Sequence, residues 1–184
     1  MKPLTMLVTG LALLVPSLLF AQTESGRWGA CARFHAGHGS EIDNENKVPF
    51  DGDWSYGLVY EYREPQAMFQ IILSGTPNAG YKGVFDGVDY SQTPIDTIWT
   101  PEFNLIFTEG AWIGGMGVLK HLVRSEDGGR WSPVFWQFLL GFTLGQRQGF
   151  ALDLMAAYEF RSLAETSDID FDKLDVRLSL TKAF

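Results

Sequence analysis

The chain ends in residues 174–184, LDVRLSLTKAF, a stretch in which apolar and polar side chains alternate. Leucine, valine and phenylalanine side chains fall on one face, which is interrupted only by Lys182. Asp175 and Arg177 fall on the opposite face, together with serine, threonine and alanine. A period of two predicts a β-strand. A strand with charges opposite an apolar face suits the wall of a barrel that stands between lipid and a polar lumen.

Seven further segments of about ten residues show the same alternation, each followed by a turn signal. They are residues 28–36, 53–63, 67–74, 98–108, 112–124, 131–145 and 150–161. Eight strands is the smallest number in the usual range for bacterial transmembrane barrels. A barrel of eight strands is just wide enough for side chains to fill it. The pattern therefore predicts an all-β, eight-stranded antiparallel up-and-down transmembrane barrel with a side-chain-filled polar lumen.

The predicted connections alternate between short and long. Those after strands two, four and six are residues 64–66, 109–111 and 146–149, whereas those after strands one, three and seven are residues 37–52, 75–97 and 162–172. The connection after strand five, residues 125–130, is modest in length. Bacterial outer-membrane barrels have short periplasmic turns and longer outer loops. This alternation of short and long connections therefore predicts that both termini are periplasmic.

The N-terminal segment predicts export. Lys2 precedes an apolar stretch at residues 4–20, and Ala21 offers a small residue at a cleavage site. A transmembrane helix is the alternative, but Gly10, Pro16 and the lack of a basic flank argue against it. We predict a signal peptide at residues 1–21 and a single outer-membrane barrel domain at residues 22–184.

Composition and motifs exclude several functions. The formal net charge of −8 makes nucleic acid an unsuitable partner. The single cysteine, Cys31, cannot form an intrachain disulfide. Residues 43–46 are acidic but do not continue as an EF-hand, and no zinc spacing or phosphate-binding glycine loop is present. We therefore expect no cofactor and no metal site.

Acidic and basic side chains nearly balance on the faces opposite the apolar ones. The predicted lumen network consists of Arg33, Glu61, Arg63, Glu102, Asp153, Glu159, Arg161, Asp175 and Arg177, with His35 and Lys120 as possible additions. An unpaired charge in a tight interior costs several kcal/mol, so a balanced set predicts pairing within a plugged lumen. The alternative is the solvated face of a soluble antiparallel sheet. The large aromatic outer faces and the near balance of charge argue against that alternative.

Histidine and serine near the predicted outer rim raise the question of catalysis. The weak candidates are His35, His38, Ser40 and His121. Such groups, with a carboxylate, serve acyl transfer, and two barrel families, the lipid A deacylases and palmitoyltransferases, use them. The match is poor because the His38-x-Ser40 motif lies in the first outer loop and His121 has no serine two positions on. The sequence leans against an enzyme and keeps a lipid A acyl hydrolase or acyltransferase as the alternative.

The signal peptide, the alternation, the turn rhythm and the terminal Phe184 together resemble the small eight-stranded outer-membrane proteins of the OmpA/OmpX type. The resemblance implies a structural or surface-interaction role with exposed outer loops, and a conduit for small hydrophobic molecules is a further alternative. It also implies a monomer that contacts outer-membrane lipid and lipopolysaccharide, with Phe184 as the signal read by the barrel-assembly machinery. Lys182 departs from that signature, which normally carries an apolar residue there. Aromatic girdles are expected at Trp54, Tyr62, Trp99, Trp112, Trp131, Tyr158 and Phe184.

Overall fold

The computed structural model describes residues 25–35, 54–81, 84–85, 88–161 and 174–184. The predicted signal peptide, His38 and Ser40 lie outside these residues, as does the whole of the predicted first and last outer loops, residues 37–52 and 162–172. None of the described segments forms an α-helix with the length and apolarity needed to cross a bilayer.

Eight long strands form one closed antiparallel barrel, which confirms the predicted fold. The barrel strands are β1 (Ser25–Phe34), β2 (Trp54–Arg63), β3 (Ala67–Tyr81), β6 (Ile95–Glu109), β7 (Trp112–Ser125), β8 (Gly128–Arg147), β9 (Phe150–Phe160) and β10 (Asp175–Ala183). Each strand pairs with its neighbours in the chain, and β1 pairs with β10 to close the cylinder. Two short strands, β4 (Val84–Phe85) and β5 (Val88–Asp89), form a separate hairpin between β3 and β6.

The two ends of the barrel differ. The turn end carries the connections at residues 64–66, 110–111 and 148–149 together with both described termini. At the opposite end, here called the loop end, the strands reach further than predicted. The predicted loop at residues 125–130 is wrong, because β7 and β8 join through a two-residue turn at residues 126–127. Gly128 has a φ of 124°, which glycine adopts without steric cost, and it pairs directly with Ser125.

The two faces of the wall are sharply different in exposure. Inward positions are sealed, and outward positions carry exposed large apolar side chains, with 65 % of Leu58 and 61 % of Leu140 exposed. Apolar side chains accompany the polar ones in the interior. An apolar cluster lies inside the wall toward the loop end and includes a residue that follows β5. Its members are Tyr90, Ile95, Ile98, Leu119, Val123 and Phe135.

Glycines make room where the wall is tight. A Cβ atom built on Gly115 would lie 2.1 Å from the backbone oxygen of Leu105, and one on Gly117 would lie 1.8 Å from Asn104 Oδ1. Gly117 therefore leaves the space that the Asn104 side chain occupies. Gly114, which faces outward, would meet only ordinary contacts. The inward-facing glycines of β7 therefore relieve crowding in the wall, whereas Gly114 does not.

Candidate functional site

Arg63 organises the half of the lumen nearest the turn end. Its Nη2 atom donates to Asp153 Oδ2 at 2.6 Å and to Glu61 Oε1 at 3.1 Å. The Thr143 hydroxyl donates to the other oxygen of Asp153 at 2.7 Å. The side chains of Arg63, Glu61 and Asp153 have no solvent exposure. This group, the Arg63 cluster, is a set of charge-assisted hydrogen bonds inside a sealed space.

Glu61 extends the Arg63 cluster to three other strands. It accepts hydrogen bonds from Gln70 Nε2 at 3.1 Å and from the Thr181 hydroxyl at 2.8 Å. Arg27 Nε lies 3.8 Å from the same carboxylate, and Arg27 Nη1 donates to the backbone oxygen of Gly149 at 3.0 Å. The predicted network lacks Arg27 because the predicted first strand begins one residue later, at Trp28. The alternation carried back from the outward-facing Trp28 would have found it.

Arg33 organises the half of the lumen nearer the loop end and joins three carboxylates. Its Nε atom donates to Asp175 Oδ2 at 2.7 Å, and its Nη2 atom donates to Glu159 Oε1 at 2.6 Å. Its Nη1 atom donates to Glu102 Oε1 at 3.2 Å. These groups form the Arg33 cluster, and each of their side chains is at most 2 % exposed.

Amide side chains connect the two clusters. Arg177 donates to Glu102 Oε2 at 2.9 Å and to Gln70 Oε1 at 3.0 Å, and the amide of Gln70 in turn donates to Glu61 in the Arg63 cluster. Gln137 Nε2 donates to Glu102 at 2.9 Å and to Asn104 Oδ1 at 2.7 Å. The predicted network contains only charged and histidine side chains and therefore lacks these amides, although alternation places them on the inward face.

The remaining predicted lumen bases lie at the loop end. The Arg161 guanidinium stands 5.1 Å from the ring centroid of Phe135, whose side chain belongs to the interior apolar cluster. Lys120 is not a lumen residue, and that expectation is wrong. The alternation in β7 turns Lys120 outward, between the buried Leu119 and His121, and its Nζ atom lies 5.8 Å from the exposed Trp131 ring.

The structure brings His35 together with a carboxylate and a hydroxyl. His35 Nδ1 lies 2.9 Å from Asp175 Oδ2, and His35 Nε2 lies 2.6 Å from Ser55 Oγ. The Thr76 hydroxyl is 2.5 Å from Ser55 Oγ on the far side. His35 directly follows β1 and Ser55 is the second residue of β2, so this group lies at the loop end of the lumen.

His121 makes a second, differently oriented set of contacts. Its Nδ1 atom lies 2.9 Å from the Thr100 hydroxyl, and its Nε2 atom lies 3.4 Å from Glu159 Oε2. Its backbone N–H donates to Ser132 Oγ at 2.9 Å. His35 and His121 thus approach the Arg33 cluster from two sides, through Asp175 and Glu159. Among the described residues, no group of three or more histidine, cysteine or carboxylate side chains is arranged to hold a metal ion.

Aromatic side chains encircle the outward surface of the barrel near both ends. Near the turn end, the tilted rings of Trp28 and Tyr60 have centroids 4.9 Å apart, and those of Trp112 and Phe142 have centroids 4.1 Å apart. Six of the seven predicted girdle residues are exposed, and Tyr158 is buried because it pairs with Phe138 in an aromatic row. Those exposed are Trp54, Tyr62, Trp99, Trp112, Trp131 and Phe184.

The terminal Phe184 lies at the seam where β1 meets β10. Its backbone N–H donates to the Gly26 oxygen at 3.3 Å. A Cβ atom on Gly26 would lie 2.6 Å from the Phe184 ring, so the ring rests on the space that this glycine leaves. Lys182 faces outward nearby, with its Nζ atom 5.2 Å from the Phe150 ring centroid.

Comparison with known proteins reveals a likeness of fold. No family model matches the chain. A search among curated proteins finds no significant match. Among solved structures, that of Neisserial surface protein A superposes with a TM-score of 0.52 and 13 % sequence identity, over 90 % of this chain and 100 % of its own. That protein is an eight-stranded outer-membrane barrel. This chain shares its fold. At so low an identity the likeness extends to the fold alone, so function is argued from the surfaces of this chain.

Proposed function

We propose that this chain is an integral protein of the bacterial outer membrane, with a structural or surface-interaction role in which a plugged barrel anchors its outer loops. The observation that carries the proposal is the sidedness of the wall. Arg63 and Arg177 have no exposure inside it, whereas half or more of Leu58, Leu73 and Leu140 is exposed outside it. A soluble sheet would have the opposite arrangement, with its charged face in water.

The dimensions of the strands support the same proposal. A tilted strand crosses the hydrocarbon layer in about 9–11 residues. The strands β1 and β2 have 10 residues each, β9 has 11 and β10 has 9. An exposed apolar surface of this extent would cause aggregation in water. A bilayer removes that cost, because lipid tails then cover the outward side chains.

Lipopolysaccharide phosphates are the partner that we assign to the outward surface at the loop end. Lys120 and Arg124 share that face of β7, and the exposed Trp131 of β8 pairs with Leu122 between them. Basic side chains contact phosphate, and tryptophan favours the headgroup region. This assignment turns the loop end outward and the turn end, with both termini, toward the periplasm. The seam position of Phe184 suits a residue presented to the assembly machinery.

The filled interior argues against a conduit. The side chains of Arg63, Glu61 and Asp153 have no solvent exposure, and those of the Arg33 cluster are at most 2 % exposed. Three further inward residues, Asn104, Gln137 and Ser179, also have no exposure, so no water-sized space adjoins them. An eight-stranded barrel has little room beyond its own side chains. The proposal therefore includes an impermeable lumen in a monomeric protein.

Expression of the full chain in a Gram-negative host tests the proposal. The protein should fractionate with the outer membrane, and its band on a gel should shift when the sample is boiled, because a folded barrel resists detergent until heated. Purified barrel in planar bilayers should give no conductance steps. Recovery of the mature polypeptide as a folded monomer in buffer without detergent would contradict membrane integration. Steady conductance would contradict the plugged lumen.

A further inference from the structure

The Ser55–His35–Asp175 group has the connectivity of a nucleophile, a base and an orienting carboxylate. Hydrogen-bond reach between nucleophile and base is about 2.6–3.2 Å. The distance from Ser55 Oγ to His35 Nε2 is 2.6 Å, and that from His35 Nδ1 to Asp175 Oδ2 is 2.9 Å. The two ring nitrogens of His35 thus have separate partners. The carboxylate fixes the tautomer in which Nδ1 carries the proton and Nε2 is free to accept one.

Neighbouring side chains hold this arrangement in place. Asp175 also accepts from Arg33 Nε at 2.7 Å, so the carboxylate is anchored independently of the histidine. With the Ser55 proton directed toward His35, the Thr76 hydroxyl at 2.5 Å becomes a donor beside Ser55 Oγ. A hydroxyl donor next to the nucleophile is the kind of group that stabilises an oxyanion. His35 and Ser55 are each 3 % exposed, so this nearly sealed arrangement excludes bulky substrates.

We propose that Ser55 is a nucleophile that hydrolyses small carboxylic esters at the loop end of the lumen. Ser55 Oγ bonds to the ester carbonyl carbon while its proton passes to His35 Nε2, and the Thr76 hydroxyl hydrogen-bonds the carbonyl oxygen. The C–O bond to the alcohol then breaks, and His35 returns the proton to the departing oxygen. Water attacks the acyl-Ser55 ester with His35 as base, which releases the acid and restores Ser55. The inference needs only the barrel interior and does not rest on the membrane location.

The second histidine provides a matched control within the same barrel. His121 also contacts a hydroxyl, that of Thr100, but through Nδ1. Its Nε2 atom lies 3.4 Å from the Glu159 carboxylate, well beyond the corresponding distance at His35. His121 has no solvent exposure, and its hydroxyl partner is on a β-branched side chain. If both histidine groups were only structural, neither would contribute to ester hydrolysis. The proposal assigns hydrolysis only to the group that contains Ser55.

The experiment uses the full folded barrel in detergent micelles, with folding verified by the heat-dependent band shift. Hydrolysis of p-nitrophenyl acetate is compared in the wild type, Ser55→Ala, His35→Asn and the control Thr100→Val. Loss of a general base costs about 10²–10⁴-fold, so we expect the first two variants to lose at least about 100-fold of the rate. Thr100→Val should retain the wild-type rate. Diisopropyl fluorophosphate should add its phosphoryl group to Ser55, located by peptide mass.

A cysteine in place of the serine keeps the test decisive if either variant folds poorly. In a Cys31→Ala background, Ser55→Cys should be alkylated by iodoacetamide quickly when His35 is present and slowly when His35 is asparagine, because imidazole promotes the thiolate. A Ser55→Ala barrel that hydrolyses the ester as fast as the wild type would overturn the proposal. So would a folded wild-type barrel without activity, or alkylation of Ser55→Cys that does not depend on His35.

Discussion

The Arg63 cluster and the Arg33 cluster both pair buried charges inside the barrel, but their neighbouring side chains differ. The Arg63 cluster lies toward the turn end and combines arginine and carboxylates with amide and threonine groups. The Arg33 cluster lies toward the loop end and adds both described histidines and several small hydroxyls. The ion pairs of the first, between Arg63, Glu61 and Asp153, are completely buried. The second carries two imidazole rings and the hydroxyl groups that contact them. Toward the turn end the buried ion pairs are joined by neutral amide and threonine donors, whereas toward the loop end imidazole rings accompany them.

Removal of Arg63 should have the largest effect on stability. Arg63→Leu would leave Asp153 and Glu61 buried without their main partner, and breaking a buried pair costs about 3–5 kcal/mol. Urea unfolding in lipid vesicles, followed by tryptophan fluorescence, measures this loss. The comparison variant is the triple change Arg63→Leu, Asp153→Leu and Glu61→Gln, which removes the orphaned charges and should recover part of the loss. Equal unfolding free energies of Arg63→Leu and the wild type would contradict a stabilising role for the buried ion pairs of the Arg63 cluster.

The crowding at Gly117 should give the next largest effect. Gly117→Ala would place a methyl group on Asn104 Oδ1 and break the contact between Asn104 and Gln137, for a loss of about 1–3 kcal/mol by overpacking. Gly114→Ala is the control three positions away on the outward face of the same strand, where a Cβ atom meets Leu140 Cδ1 at 3.5 Å. The same unfolding measurement applies. If both substitutions cost the same amount, the effect comes from the glycine backbone and not from the Asn104 contact.

Alternation predicted most of the wall and the charges inside it, because facing depends only on a period of two. The eight segments all became strands, and inward-facing charges such as Glu61, Arg63 and Arg177 are buried inside the wall. The prediction that Lys120 faces the lumen failed because the glycine-rich β7 has few side chains that distinguish its two faces. The depth of each inward side chain along the barrel and the identity of its partner could not be derived from the sequence, because both depend on the stagger between neighbouring strands. That stagger brings Ser55 beside His35 and aligns Arg33 with Ser55 across the β1–β2 pair.

A single hydrogen bond to Glu61 tests how far the Arg63 cluster depends on its neutral members. Thr181→Val keeps the side-chain shape and removes the hydroxyl that donates to Glu61 at 2.8 Å. A hydrogen bond to a charged group contributes about 1.5–3 kcal/mol, and we expect a loss near the lower value because Arg63 and Gln70 still bind the carboxylate. Vesicle unfolding of the variant measures it. A loss as large as that of Arg63→Leu would mean that the hydroxyl, and not the ion pair, holds the cluster together.

The outward basic pair should matter least for stability and most for lipid contact. Lys120 lies over the Trp131 ring, and an exposed contact of this kind contributes about 0.5–1 kcal/mol. The double variant Lys120→Gln and Arg124→Gln should therefore unfold almost like the wild type. It should co-purify with less lipopolysaccharide, because two positive charges that meet phosphate are gone. Lys182→Gln at the turn end is the control, since that position faces the opposite leaflet in the proposed orientation. Loss of lipopolysaccharide from the control and not from the double variant would reverse the orientation of the barrel.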